Sequence, residues 1–94
     1  MIVVVDCSSV STVEAFWQAY VDAAEPEEAK VFGRNLDALW DAVEGGGPGW
    51  PGDVKLVFTH TRTLANLRTP GGGSFLKALQ EIARDATRLE IEVT

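Results

Sequence analysis

The sequence predicts an α/β domain: a three-stranded parallel sheet with three main helices. Apolar, β-rich runs stand at Ile2–Val5, Val54–Phe58 and Leu89–Val93. Stripes of helical spacing fill the stretches between them. Helical segments between every pair of strands favour parallel pairing with right-handed crossovers. With so few strands, helices are expected to cover one face of the sheet and leave the other barer.

Ile2–Val5 is continuous and β-branched, the pattern of a strand buried on both faces. Ser11 then opens the first helix through a Ser-x-x-Glu capping box closed by Glu14. Val13, Phe16, Trp17, Tyr20 and Val21 form the stripe that packs on the sheet, which makes Trp17 and Tyr20 core residues. Glu25-Pro26 ends this helix, because a residue before proline avoids the α region. Asn35 is a suitable N-cap for the second helix, Asp37 suits its first turn, and Gly45 stops it. GGGPGWPG follows as a loop through Gly52, with the Trp50-Pro51 bond trans by default.

Val54–Phe58 is the second strand, and Thr61–Leu67 reads as a helical turn or a short fourth helix. Pro70 and three glycines break the chain as a flexible loop before Ser74 caps the third main helix. Phe75, Leu76, Leu79, Ile82, Ala83 and Ala86 give that helix its apolar stripe. LEIEV, residues 89–93, alternates as an edge strand whose outward Glu90 and Glu92 discourage edge-to-edge association.

Ninety-four residues make one domain spanning 1–94, with no room for a second core. One cysteine, Cys7, excludes an internal disulfide framework and fits a reducing compartment. The N-terminal IVVVDC lacks a signal pattern, and no segment approaches the roughly 20 apolar residues of a membrane span. A cytoplasmic location without membrane contact is expected. The formal net charge of −6 argues against direct binding of nucleic acid, whose phosphates require basic patches. It favours a basic partner, or no charged partner at all.

The acids are concentrated where that matters most, in VFGRNLDALWDAVEG, residues 31–45. At roughly 100° per residue, Leu36, Leu39, Trp40 and Val43 share one arc of a helix. Asp37, Asp41 and Glu44 share another, with Trp40 at the border. No Lys or Arg lies between Arg34 and Lys55 to pair with them. Asp37 and Asp41 repel as i,i+4 neighbours, and Glu44 sits near the helix end where the macrodipole disfavours it. Charges that break local rules without local compensation mark a candidate functional surface.

FGRNLDALWDAVEG resembles the central motif of the barstar family, intracellular inhibitors of a secreted, guanyl-preferring bacterial ribonuclease. Gly33, Asn35, Leu36, Asp37, Ala38, Leu39, Trp40 and Asp41 match that motif without a gap, and the order of elements matches along nearly the whole chain. The resemblance implies a barstar-like fold and one-to-one inhibition of a secreted microbial ribonuclease by plugging its active site. It implies that Asp41 takes the place of a substrate phosphate among the enzyme's cations. Asp37 would meet a second basic patch, and Trp40 would pack at the rim or orient the helix. Glu81 would supply the further acid from the C-terminal helix, and Glu44 would deepen the negative field. Val31, Asn35 and Gly45 fall in the same contact surface. No cofactor is implied, and a one-to-one plug needs no oligomer, so the free chain is expected to be monomeric.

Several positions depart from the family pattern. Val31 replaces a contacting tyrosine, Arg34 reverses the charge of a glutamate, and Gly46 stands where an aromatic follows the helix-ending glycine. Trp50 either substitutes for that aromatic from its longer loop or stands for a loop aromatic that precedes proline. Two further readings compete. The same fold could serve as an immunity or regulatory module for a basic partner that is not a ribonuclease. Alternatively, Cys7 and His60, both just past strands, could form a thiol nucleophile. PGGGS fits no phosphate-loop pattern, and one His with one Cys gives no metal-ligand cluster.

Overall fold

The computed structural model describes Met1–Thr94. The chain runs through β1 (Ile2–Asp6), α1 (Val13–Ala24), α2 (Leu36–Gly45), β2 (Lys55–Thr59), α3 (Phe75–Asp85) and β3 (Ile91–Val93). Short 3-10 turns at Ala29–Val31 and Thr61–Leu64 complete it, the latter being the short helical segment expected over 61–67. Three strands form one parallel sheet in the order β1-β2-β3, with Val4 beside Val57 and Leu56 beside Ile91. The α/β class and the three-helix, three-stranded parallel architecture expected of a barstar-like chain are therefore present.

Val3, Val5, Leu56, Phe58 and Ile91 point to the helices and join a single buried cluster with Phe16, Trp17, Tyr20, Leu39 and Leu79. Aromatic rings tie the layers: Phe16 of α1 stacks on Phe58 of β2 at 5.4 Å and meets Phe75 of α3 edge-on at 5.0 Å. Each such pair adds about 0.5–1.5 kcal/mol beyond its area burial. The opposite sheet face is uncovered, and this corrects one expectation. β1 is not buried on both faces: Ile2 is 62% and Val4 50% exposed. A continuous apolar run does not reveal that all helices lie on one side.

Two helix ends shift by a residue. Thr12, not Ser11, caps α1, its Oγ1 accepting from Ala15 N at 3.0 Å, so the Ser11–Glu14 box does not form. Gly45 is the last residue of α2, and Gly46 at φ 73° terminates it, donating to Ala42 O and Asp41 O. Glycine tolerates this left-handed position at no steric cost. Pro70–Gly73 is a hydrogen-bonded turn, with Gly72 N donating to Thr69 O at 2.8 Å and Gly73 N to Thr69 Oγ1 at 3.1 Å. Ser74 caps α3 as expected, its Oγ accepting from Lys77 N.

Candidate functional site

The site begins with how α2 is entered. Asn35 is extended (φ −147°), and its Oδ1 accepts from Ala38 N at 2.7 Å while its Nδ2 donates to Gly33 O at 3.3 Å. Both side-chain atoms of Asn35 are thus engaged in starting the helix. Gly33 stands close to this turn: a Cβ there would come within 3.1 Å of Ala38 Cβ, a tight contact that displaces Ala38 by a few tenths of an ångström. So anchored, α2 buries Leu39, Ala42 and Val43 and turns Asp37, Trp40 and Asp41 outward.

α3 packs beside α2 and buries Phe75 and Leu79, leaving Glu81 and Asp85 in solvent. Between the two helices lies an open groove of about 270 Å³, lined by Leu36, Asp37, Trp40, Ala78, Glu81, Ile82 and Asp85. Its floor is aliphatic and aromatic, and carboxylates rim it. Three residues expected from the sequence, Asp37, Trp40 and Glu81, are brought together here. Asp85 was missed, although it stands one helical turn beyond Glu81 and so shares its face. Arg84 pairs with Asp85 at 3.0 Å and holds that carboxyl below its usual range. Asp37, Asp41 and Glu81 take part in no ion pair of the chain.

Asp41 lies outside the groove lining, one turn along α2 from Asp37. Its carboxylate rests against the glycine end of the helix. A Cβ on Gly45 would sit 3.1 Å from Asp41 Oδ1, and one on Gly47 would overlap Oδ2. The loop beyond is fixed in turn: Gly49 N donates to Glu27 O at 2.8 Å, and Tyr20 Oη donates to Gly49 O at 2.7 Å. A side chain at Gly49 (φ 99°) would collide with the Phe32 ring. Buried core residues therefore set the backbone over which Asp41 lies.

Glu44 is employed differently. It accepts from Thr87 N at 2.8 Å and from Thr87 Oγ1, which holds its carboxyl below the usual range with help from the Arg88 charge. Arg88 also lies 5.0 Å over the Trp50 ring, and its Nη1 covers Gly46. The α2 end has no base in its own last turn, so this distant guanidinium supplies a cation where the macrodipole favours one. Trp50 is half-buried beneath it.

Val31 projects from its 3-10 turn, 66% exposed, and Trp40 is 38% exposed. Arg34, in the left-handed region at φ 50°, donates from Nη1 to Gln18 Oε1 at 3.1 Å. Its charge is thereby drawn toward α1. The Cys7–His60 pair is not assembled. Cys7 is fully buried with Sγ directed at Val5 O, and burial pushes its thiol up to about 11. His60 pairs with Asp6 at 3.1 Å instead. The glycine N–H groups of the Pro70–Gly73 turn that face Thr69 are consumed by it.

Fold and groove define a class first: a small α/β protein that presents unpaired carboxylates on rigid, packed helices. The chain belongs to the Barstar (barnase inhibitor) family, whose model matches residues 1–94. Membership gives it the role of a barnase-type ribonuclease inhibitor, in a family of inhibitors rather than enzymes. No curated protein matches it individually.

Proposed function

We propose that this protein inhibits a secreted microbial, guanyl-specific ribonuclease by seating the α2–α3 surface in the enzyme's cationic active site. An enzyme that cleaves RNA must present cations to phosphates, so a rigid acidic surface can fill the same place. Asp41 stands in for a phosphate. Asp37 and Glu81 meet flanking basic side chains across the groove, and Trp40 with Val31 supplies apolar contact at its margin. Gly45 lets the partner approach Asp41 closely, and Asn35 holds the helix in register for all of them. Glu44 adds to the field but acts first through Thr87.

The observation that carries this reading is the convergence of Asp37, Trp40 and Glu81 on one groove, with the two acids unpaired inside the chain. Side chains on packed helices lose little freedom on docking, so more of the interaction energy is retained in affinity. Carboxylates there steer encounter at low salt, and charge-assisted hydrogen bonds to arginine slow release. One inhibitor binds one enzyme, inside the cell that makes it.

The test is a titration of purified guanyl-specific ribonucleases with the protein, following RNA cleavage at low and moderate salt. Stoichiometric inhibition of at least one enzyme, weakened by Asp41→Ala, is expected. Inhibition of none would reject the guanyl-specific target and favour a basic partner of another kind. An association rate indifferent to ionic strength would reject electrostatic steering.

A further inference from the structure

Arg34, Arg68 and Arg84 all donate side-chain hydrogen bonds within the chain. The exposed Arg88 donates none and joins no ion pair, yet its guanidinium is held in place. Glu44 accepts from Thr87 N and Oγ1, which pins the preceding residue to the end of α2. The guanidinium itself lies 5.0 Å over the Trp50 ring, and its Nη1 stands 3.0 Å from where a Gly46 Cβ would be. Trp50 is fixed in turn, its N donating to Gly47 O at 3.1 Å and its O accepting from Glu27 N at 3.0 Å. Stacking uses the flat face of a guanidinium, whereas its N–H groups point outward in its plane. Arg88 is therefore a placed fork of donors with nothing inside the chain to receive them.

That fork flanks the same glycine segment as Asp41. The Asp41 carboxylate lies against Gly45 and Gly47, and Arg88 lies against Gly46 between them. A cation in this place weakens the negative field and approaches a partner rich in cations. The fold does gain from it, through the Trp50 stack and the α2 macrodipole. Neither gain uses the N–H groups that remain free.

We infer that Arg88 selects the target by pairing with a carboxylate that the cognate ribonuclease presents beside its phosphate-binding cations. This rests on the inhibitory reading and specifies which of the guanyl-specific enzymes fits. A carboxylate matches the planar fork with two parallel hydrogen bonds. RNA itself is a poor occupant, because the neighbouring Asp41 and Glu44 repel a polyanion. A protein carboxylate arrives with cations of its own to face Asp41. An enzyme with Lys or Arg opposite Arg88 is rejected by like-charge contact, so enzymes of the same chemistry are told apart.

The test uses the guanyl-specific ribonuclease that the wild-type protein inhibits most tightly, with binding and release followed directly. Arg88→Gln and Arg88→Glu both make the protein more acidic, so steering alone predicts equal or tighter binding. The pairing predicts the opposite: dissociation about fivefold faster for Arg88→Gln and at least about thirtyfold faster for Arg88→Glu. Melting curves establish that each variant is folded at the assay temperature. Arg88→Gln, which adds no acid to the α2 end, carries the test if Arg88→Glu does not fold. Replacing the acidic residues that border the enzyme's cationic cleft by Lys, one at a time, locates the partner. At one position the replacement should restore binding of Arg88→Glu, or of Arg88→Gln in part, and weaken that of wild type. Folded Arg88 variants that bind as tightly as wild type overturn this inference and leave the inhibitory reading standing. So does a loss that no single Lys replacement rescues, which would assign Arg88 to the fold alone. Inhibition of no enzyme by the wild-type protein rejects both.

Discussion

Asp41 and Glu44 stand one turn apart on the same helix, and the fold uses them in opposite ways. Glu44 reaches across to Thr87 and spends its charge inside the molecule. Asp41 rests on glycine backbone with no cation beside it and keeps its charge for a partner. An acidic arc on a helical wheel therefore contains two kinds of acid, one that holds the fold together and one that is left for binding. Only contacts between distant parts of the chain separate them.

Substitution should split the pair cleanly. Asp41→Ala is expected to show the largest effect on inhibition, a loss of at least about tenfold. A hydrogen bond to a charged group contributes about 1.5–3 kcal/mol net, and a desolvated partner cation left unpaired costs more. Thermal stability should hold or rise slightly, since the i,i+4 repulsion with Asp37 disappears. An Asp41→Ala protein that inhibits normally but melts early would reverse the assignment of roles.

Glu44→Gln should give the mirror image: a melting temperature lowered by several degrees and inhibition within about twofold of wild type, the scale of a peripheral charge. Its pH dependence has a definite sign. The Glu44 carboxyl titrates below its ordinary value near 4.5 in the folded protein, so it stabilises the fold above that value. The contribution is lost as pH falls through the lowered folded value. Melting curves of wild type and Glu44→Gln should therefore diverge near neutrality and converge in acid. Asp6 and Asp85 are also lowered, but both proteins share them and they cancel in the difference. A constant gap across that range would mean that Glu44 acts through packing alone.

Gly47→Ala tests whether the loop sets the position of Asp41. A methyl there would overlap Asp41 Oδ2, and the position carries no positive φ to add backbone strain. The carboxylate must rotate, at a cost of about 0.5–1.5 kcal/mol if it leaves its rotamer well. Inhibition should weaken about threefold to tenfold through faster dissociation. Unchanged dissociation would show that Asp41 is free to choose its rotamer on docking.

These outcomes follow the line between what the sequence made legible and what it did not. Helical periodicity located Leu39 and Val43 inside and Asp37 and Asp41 outside, because one helix determines its own faces. The motif found Asn35 and Gly33, whose roles are local. Glu44 looked uncompensated because its partners, Thr87 and Arg88, lie in the connection after α3, far along the chain. Asp85 went unnoticed although the i,i+4 spacing from Glu81 was there to be read. β1 misled for a related reason: alternation of burial along IVVV leaves no trace when every residue is apolar.

Arg34 extends the comparison to a cation at the margin, with the smallest expected effect. In sequence it reverses a charge beside the acidic arc and would be expected to repel a basic enzyme. In the fold it is drawn toward α1 by its bond to Gln18. Arg34→Ala should therefore change the dissociation rate little. It removes one positive charge, so the association rate at low salt should rise by no more than about twofold, as peripheral charges act on encounter. That gain should vanish at high salt. A gain of tenfold or more that survives salt would instead place the Arg34 guanidinium directly against the partner's cations. The Gln18 bond would then be a resting arrangement that docking breaks, and Arg34, like Glu44, would have to be reassigned by its contacts rather than its position on the wheel.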